Sequence, residues 1–227
     1  MQKIAKITAN LLLACGLLFA ACKGEKPKPI INTDKPTPIP LSPEEQLKVD
    51  ISNKIQSELG TAKKFNNILA GFEFGMNVKV VERHAEKMLG KKVLRKVKKG
   101  KNKLEYVYQL PVADKGAKVD AYIDVEYIAG GLSKMMCYTN VPSSSSSNDY
   151  LKLIANLFTE WYGAPAFKLP AYNSCERLVW ITGNKHIELR CELNAIHFDY
   201  TDLTVITPPS FDSGNSNQVD IKDVTKK

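Results

Sequence analysis

The sequence predicts an α+β protein of two tandem units, each a helix packed on a mostly antiparallel four-stranded sheet, preceded by an N-terminal helix. A helical pattern followed by four strand-like runs occurs twice, in residues 72–142 and 143–207. In the second unit, independent hairpin turns align the apolar residues on one face of the sheet. The folded part of the 227-residue chain is about 160 residues long, enough to bury a sizeable core.

Residues 43–71 form the predicted N-terminal helical segment. Ser42 is suited to cap a helix, Pro43 to occupy its first position, and Glu45 to close a capping box with Ser42. Apolar residues follow near one helical face at Leu47, Ile51, Ile55 and Leu59. This spacing predicts an amphipathic helix that buries one side.

The first unit, residues 72–142, opens with a helix that Asn77 is placed to cap and that ends at Gly90. The apolar stripe of this helix consists of Val81, Ala85, Met88 and Leu89. Four strand-like runs come next, at 92–98, 103–110, 117–129 and 132–139. Turns at Gly100–Lys101 and Gly130–Gly131 predict antiparallel pairing of the first run with the second and of the third with the fourth.

The second unit, residues 143–207, repeats this order. Its serine run, 143–147, predicts a flexible linker, and a helix follows at 149–162. The strand-like runs of this unit are 166–169, 175–182, 185–193 and 195–202.

Hairpin turns at Gly183–Asn184 and Asn194–Ala195 predict which residues of the second unit face each other. The facing pairs on one side are Trp180 and Ile187, Leu178 and Leu189, Cys191 and Phe198, and Leu189 and Tyr200. The facing pairs on the other side are Arg190 and Asp199, Glu192 and His197, and Glu188 and Thr201. One face of the sheet is therefore apolar and the other carries opposite charges.

Three cysteines, Cys137, Cys175 and Cys191, lie within the folded part. The spacing of Cys175 and Cys191 permits a disulfide in an oxidising compartment. The predicted pairing, however, puts these two residues on opposite sheet faces, and a disulfide needs Cβ atoms about 4 Å apart. We therefore favour buried free thiols, with a Cys175–Cys191 bridge as the alternative that a one-residue shift would allow.

The three histidines are His84, His186 and His197. In the sequences HIE and HFD, His186 lies near Glu188 and His197 near Asp199 on the predicted solvent face. This arrangement favours exposed histidines in ion pairs over a metal site. No nucleophile elbow, phosphate-binding loop or zinc-protease motif occurs in the sequence. The sequence therefore predicts no cofactor and no catalytic constellation, and we do not expect an enzyme.

The densest charge is KKVLRKVKKGKNK, residues 91–103, which holds eight basic residues and no acid. A turn at Gly100–Lys101 sets Val97 opposite Leu104, so many of the lysines are the solvated side of a hairpin. As a functional hypothesis, this segment contacts a polyanion such as lipopolysaccharide or an anionic membrane face. The candidate contacts are Lys96, Lys98, Lys99 and Lys101. Nucleic acid is not expected, because no aromatic stacking platform accompanies the charge.

Residues 1–21 have the charge order and size of a secretory signal, with Lys3 and Lys6 before an apolar core too short to span a bilayer. Two alanines then precede Cys22. This arrangement resembles the lipobox of bacterial lipoproteins, in which signal peptidase II cleaves before a cysteine that is acylated. The resemblance implies that Cys22 is the first mature residue and a membrane anchor. An ordinary secretory signal is the alternative.

Residues 22–42 predict a lipid-anchored spacer, because half of the 12 prolines fall within residues 26–43 and favour polyproline II. Lys23 replaces the aspartate that signals inner-membrane retention in well-known lipoproteins. By this resemblance we expect an outer-membrane lipoprotein of a Gram-negative type envelope, facing the periplasm or the outside. Residues 208–227 are rich in Ser, Asn, Asp and Lys and predict a disordered tail.

The repeated helix-plus-four-strand order resembles beta-lactamase inhibitory proteins, and the helix entry at Gly75–Asn77 resembles the BamE/SmpA-like lipoproteins. In the inhibitors, the sheet face away from the helices docks a target protein. The implied contact residues are Leu94, Val107, Tyr122, Ile128, Val179 and Ile181. We expect a non-enzymatic envelope lipoprotein that binds a protein or envelope component through its sheet. The alternative is a hydrolase of envelope glycans or peptides.

Overall fold

The computed structural model describes residues 40–99, 103–112, 118–172 and 175–206. Three α-helices and one eight-stranded antiparallel sheet make up this part of the chain, which confirms the α+β class. The signal peptide, Cys22, nearly all of the spacer, Lys101 and the tail lie outside the described residues. Within the described ranges no helix combines the length and apolar character needed to cross a membrane.

The helices are α1 (Pro43–Gly60), α2 (Val78–Gly90) and α3 (Ser147–Tyr162), with a short 3-10 turn at Leu69–Gly71. The predicted caps of the first two are confirmed. Ser42 and Glu45 form the reciprocal capping box of α1, and Asn77 accepts from the Val80 backbone at the start of α2. At α3, Ser146 caps the helix by accepting from the Asp149 backbone. Local side-chain chemistry therefore determines where each helix begins.

The strands of the first half are β1 (Leu94–Lys99), β2 (Lys103–Pro111), β3 (Lys118–Ile128) and β4 (Gly131–Asn140). Those of the second half are β5 (Phe167–Tyr172), β6 (Cys175–Thr182), β7 (Lys185–Glu192) and β8 (Ala195–Asp202).

All eight strands belong to one sheet, in the order β1-β2-β3-β4-β8-β7-β6-β5. The expectation of two separate four-stranded sheets is therefore wrong. Each half is a meander, and the two meanders join edge to edge because β4 pairs with β8 along seven residue pairs. This pairing uses backbone groups of β4 and β8 that two isolated sheets would leave open at their edges.

The predicted register of the second half is partly confirmed. Trp180 pairs with Ile187 and Leu178 with Leu189, as the turn at Gly183–Asn184 predicts. The β7–β8 register is wrong by two residues, because Leu189 faces Phe198 rather than Tyr200. The two residues of this turn are Leu193 and Asn194, with Leu193 at a φ of 55°. A shift by two leaves every side chain on its predicted face.

The predicted register of the first hairpin is wrong by one residue, which has a larger effect. Leu94 faces Tyr108, and Val97 faces Glu105 instead of Leu104. A one-residue slip turns every side chain of the strand to the other face. Leu94 consequently lies in the core, only 3% exposed.

The core lies between the sheet and helices α2 and α3, on what we call the inner face of the sheet. Phe158 of α3 is fully buried there and contacts the rings of Trp180, Phe198 and Tyr200. Helix α1 packs on the opposite, outer face, where its Ile51 joins a second, smaller cluster. The other buried members of that cluster are Leu169, Val179, Ile181 and Leu203. Helix α1 therefore covers the outer face only near β5 and β6.

Cys175 and Cys191 form a disulfide, with their Cα atoms 5.7 Å apart. The expectation of free thiols at these positions is therefore wrong. The pairing of β6 with β7 begins at Leu178 and Leu189. Cys175 lies before the first residue of this pairing, so the strict alternation of side chains between the two faces does not extend to it. Both cysteines consequently face the inner core. Cys137 remains a buried free thiol, and burial raises the pKa of that thiol well above its ordinary value.

Candidate functional site

A row of six cross-strand neighbours crosses the outer face of the sheet. We call it the central row. In strand order its members are Arg95, Val107, Tyr122, Tyr138, His197 and Arg190. These residues alternate along their strands with residues of the inner core, so they lie on the outer face. The row places aromatic groups in the middle and a guanidinium at each end.

The aromatic rings of the central row are stacked. The ring centroids of Tyr122 and Tyr138 lie 4.8 Å apart with planes inclined by 13°. Those of Tyr138 and His197 lie 5.7 Å apart with planes inclined by 26°. All three side chains are partly exposed. The second stack joins β4 to β8, so the row extends across the junction of the two meanders.

Both arginines of the central row are held by acids on the same face. Arg95 forms an ion pair with Asp120, and Arg190 donates to Asp199 at 2.8 Å. Arg190 thus pairs with the predicted acid, although the residue directly opposite it is His197. Fixed partners hold the two guanidinium groups in place, which lowers the entropy lost on binding.

Charges of both signs lie on the described part of the outer face. The acids are Glu105, Asp120, Asp124, Glu126, Glu188, Glu192 and Asp199. The basic residues are Arg95, Lys118, Lys134, Arg177 and Arg190. Ion pairs join several of these acids to arginines, so the face is mixed in charge.

Glu188 and Asp199 face each other across β7 and β8, and each accepts from an arginine. Arg177 donates to Glu188 at 2.9 and 2.8 Å through two nitrogens, and Arg190 donates to Asp199. The Oδ1 of Asp199 is buried and has no hydrogen-bond partner in the described part of the chain. The arrangement is a charge-balanced network rather than a pair of catalytic carboxyls.

His186 lies beside this network and is buried, with 4% of its surface exposed. The expectation of an exposed, ion-paired histidine is therefore wrong here. Its neighbour across the ladder is Ile181, which packs against α1 on the outer face. Neither ring nitrogen has a hydrogen-bond partner among the described residues. Burial lowers the pKa of His186 from 6.5 to about 4, against the opposing effect of Glu188 and Asp199.

His197 is half-buried and belongs to the central row. Burial, and then the nearby charge of Arg190, lowers the pKa of its imidazole below 6.5. It stacks on Tyr138 and faces Arg190, which differs from the predicted ion pair on the solvent face. Among the described residues no cluster of histidine, cysteine and acidic side chains could hold a metal ion.

The six contact residues predicted from the sequence occupy different environments. Tyr122 and Val107 belong to the central row, although Val107 is fully buried. Leu94 lies in the inner core, so its expected outward orientation is wrong. Val179 and Ile181 do lie on the outer face but are buried in the cluster with α1. Ile128, at the end of β3, is 43% exposed.

The basic hairpin is described only in part. The ammonium of Lys96 lies 2.7 Å from the carboxylate of Glu86 on α2 and near the Tyr106 ring. Hydrogen bonding to Glu86 raises the pKa of Lys96. Lys98 is exposed, whereas the side chain of Lys99 and the whole of Lys101 lie outside the described residues. Contact of these four lysines with a polyanion stays a prediction.

A cavity of about 280 Å³ lies between the end of α3 and strands β6 and β7. We call it the Trp cavity. Its lining residues are Phe65, Trp161, Tyr162, Trp180, Thr182, Lys185 and Ile187. A neighbouring cavity of about 350 Å³ shares Tyr162, Trp180 and Thr182 with it. The described residues that line these two cavities include no carboxylate, so neither matches the cleft that the hydrolase alternative requires.

Sequence reasoning did not find the Trp cavity. The available signal was that both tryptophans of the chain, Trp161 and Trp180, line it. The predicted register places Trp180 on the apolar face, and Trp161 lies near the C-terminal end of α3. Their convergence depends on how α3 crosses the sheet, which no local pattern reports.

Comparison of the chain with protein-family models, with curated proteins and with solved structures gave no match.

Proposed function

We propose that this chain is a non-enzymatic cell-envelope lipoprotein that binds a protein partner through the outer face of its sheet. Its amino terminus carries the lipobox-like Cys22, whose acylation would attach the chain to the outer membrane. The central row is the observation that carries the binding proposal. Tyrosine and arginine are enriched at the energetic centres of protein interfaces, because they bury large areas and make directional polar contacts.

The mixed charges of the outer face favour a protein partner. Seven acids and five lysine and arginine side chains lie on the described part of this face. A protein partner that presents both acidic and basic side chains complements such a face, whereas a uniformly anionic glycan or lipid headgroup matches only its basic residues. A polyanion, if one binds, would use the basic hairpin rather than the central row.

Capture from intact envelopes after crosslinking tests the binding proposal. The bait is the full chain, compared with Tyr122→Ala and with the control Val80→Ala on α2, where Val80 is 36% exposed. Truncation at an interface hot spot costs about 2 kcal/mol, so we expect Tyr122→Ala to reduce recovery of the partner about thirty-fold. Val80→Ala should recover it as the unmodified chain does. Equal recovery by all three baits would exclude the central row.

Mass spectrometry of the mature amino terminus tests the anchor separately. The expected product begins at Cys22 and carries acyl chains, and Cys22→Ala should remain unprocessed. A mature chain that begins elsewhere without acyl groups would exclude the lipoprotein assignment. Turnover of an envelope glycan or peptide by the purified full chain would instead favour the hydrolase alternative.

A further inference from the structure

Lys185 is a buried cation that has no acidic partner among the described residues. The residue is only 8% exposed, and its ammonium donates to the backbone carbonyl of Asn67 at 2.8 Å. Within the described ranges no carboxylate lies at ion-pair distance from it. Asp202, its neighbour across the ladder, accepts instead from Asn184 and Thr204. A buried charge with incomplete compensation is unfavourable, so the site favours the arrival of an anion.

One aromatic ring lies against this ammonium, and further rings line the same cavity. It lies 5.1 Å from the centroid of the Tyr162 ring, which forms one wall of the Trp cavity. Trp161 and Phe65 are 38% and 39% exposed, whereas Trp180 is buried. The cavity therefore combines a cationic group, flat apolar walls and two exposed rings.

The cavity walls are held in place without a ligand. The indole N–H of Trp180 donates to the carbonyl of Gly163 at 2.8 Å, and the backbone N–H of Phe65 donates to Asn184 at 2.7 Å. Gly183 lies so close to Phe65 that an added Cβ would stand 2.6 Å from its ring. A preformed cavity loses less ordering entropy when it binds a small molecule.

We propose that the Trp cavity binds a small aromatic carboxylate, with the carboxylate on Lys185 and the ring between Trp161, Tyr162 and Phe65. Charge complementarity selects an anion, and the three rings select a flat apolar body that can stack on them. The volume of about 280 Å³ limits the ligand to a small one. The cavity is on the inner side of the sheet, so this proposal is independent of the central row.

Tryptophan fluorescence of the full chain tests the proposal directly, because both tryptophans line the cavity. The probe is phenylacetate, with phenylacetamide as its neutral isostere and acetate as the anion without a ring. We expect saturable binding of phenylacetate, and at least about ten-fold weaker binding of the other two. Equal binding of phenylacetate and phenylacetamide, or no saturable change at millimolar concentrations, would overturn the proposal.

Substitutions then locate the interaction. Lys185→Met should reduce the preference for phenylacetate over phenylacetamide to about one, whereas Lys152→Met on the exposed side of α3 should leave it unchanged. A purely structural role of Lys185 would not alter this ratio. Trp161→Ala, at the partly exposed mouth, provides a second variant if Lys185→Met does not fold. It should weaken both aromatic compounds together, and unchanged binding would contradict the assignment of the cavity.

Discussion

Protonation of His186 should destabilise the fold in mild acid. The imidazole is buried beside the Ile181 cluster, and its two nitrogens lack partners among the described residues. Burial lowers its pKa to about 4 in the folded chain, while the unfolded chain has the ordinary value of 6.5. The unfolded state therefore binds a proton at a higher pH than the folded state does. The free energy of unfolding should fall as the pH falls from 6.5 to 4.

The size of this effect follows from the two pKa values. Each pKa unit of difference corresponds to about 1.4 kcal/mol, so complete protonation of His186 costs the folded state about 3 kcal/mol. This is a large share of the stability of an ordinary domain, which is about 5–15 kcal/mol. The surrounding charges contribute in both directions. Glu188 and Asp199 raise the pKa of His186, whereas Arg177 and Lys134 lower it.

Denaturant unfolding at a series of pH values measures the effect, with His186→Leu and His186→Gln as paired variants. The side chain at position 186 titrates in neither variant. Between pH 6.5 and 4, the free energy of unfolding of each variant should therefore fall by about 3 kcal/mol less than that of the unmodified chain. At neutral pH the leucine variant should be at least as stable as the unmodified chain, because it removes an unpartnered buried polar group. If the unmodified chain and both variants lost stability in parallel below pH 6.5, the reasoning about His186 would be refuted.

Two further predictions concern the covalent and backbone constraints of the second half. Replacing Cys175 and Cys191 by serine should lower the free energy of unfolding by about 3 kcal/mol, because the bridge closes a loop of 16 residues. A denaturant midpoint equal to that of the unmodified chain would contradict this expectation. Gly183→Ala should destabilise by more than about 1 kcal/mol, because φ is 54° and the new Cβ would meet Phe65 and the carbonyl of Lys63. Gly90 lies at the end of α2 with open space around it, so Gly90→Ala is the matched control and should be neutral or stabilising. Equal shifts of the melting temperature in the two variants would exclude the steric explanation.

The features that the sequence predicts well are local ones. Helix starts at Ser42 and Asn77 depend on side chains within three residues of the cap, and both are confirmed. The hairpin at Gly183–Asn184 has a two-residue turn with glycine in the left-handed region, so its register follows from the turn. At Leu193, a bulky residue takes that conformation, which turn propensities do not indicate, and the predicted register is displaced.

The features that the sequence did not reveal depend on distant contacts. Pairing of β4 with β8 requires knowledge of which strand edges remain open, and the burial of His186 requires the position of α1. The Cys175–Cys191 bridge depends on where the β6–β7 ladder ends. For the candidate site, the sequence predicted Tyr122 on the outer face, but the stack that joins it to Tyr138 and His197 exists only in the assembled sheet.

The β4–β8 junction has a consequence for how the chain folds. Within each meander, pairing connects neighbouring strands, but at the junction Lys134 meets Thr201, 67 positions further along. Pairing between residues so far apart in the chain forms more slowly than pairing within a meander, so we expect the junction to form after the two meanders. Tyr138 and His197 come into register only at that step. The central row is therefore complete only once the two meanders have joined into one sheet.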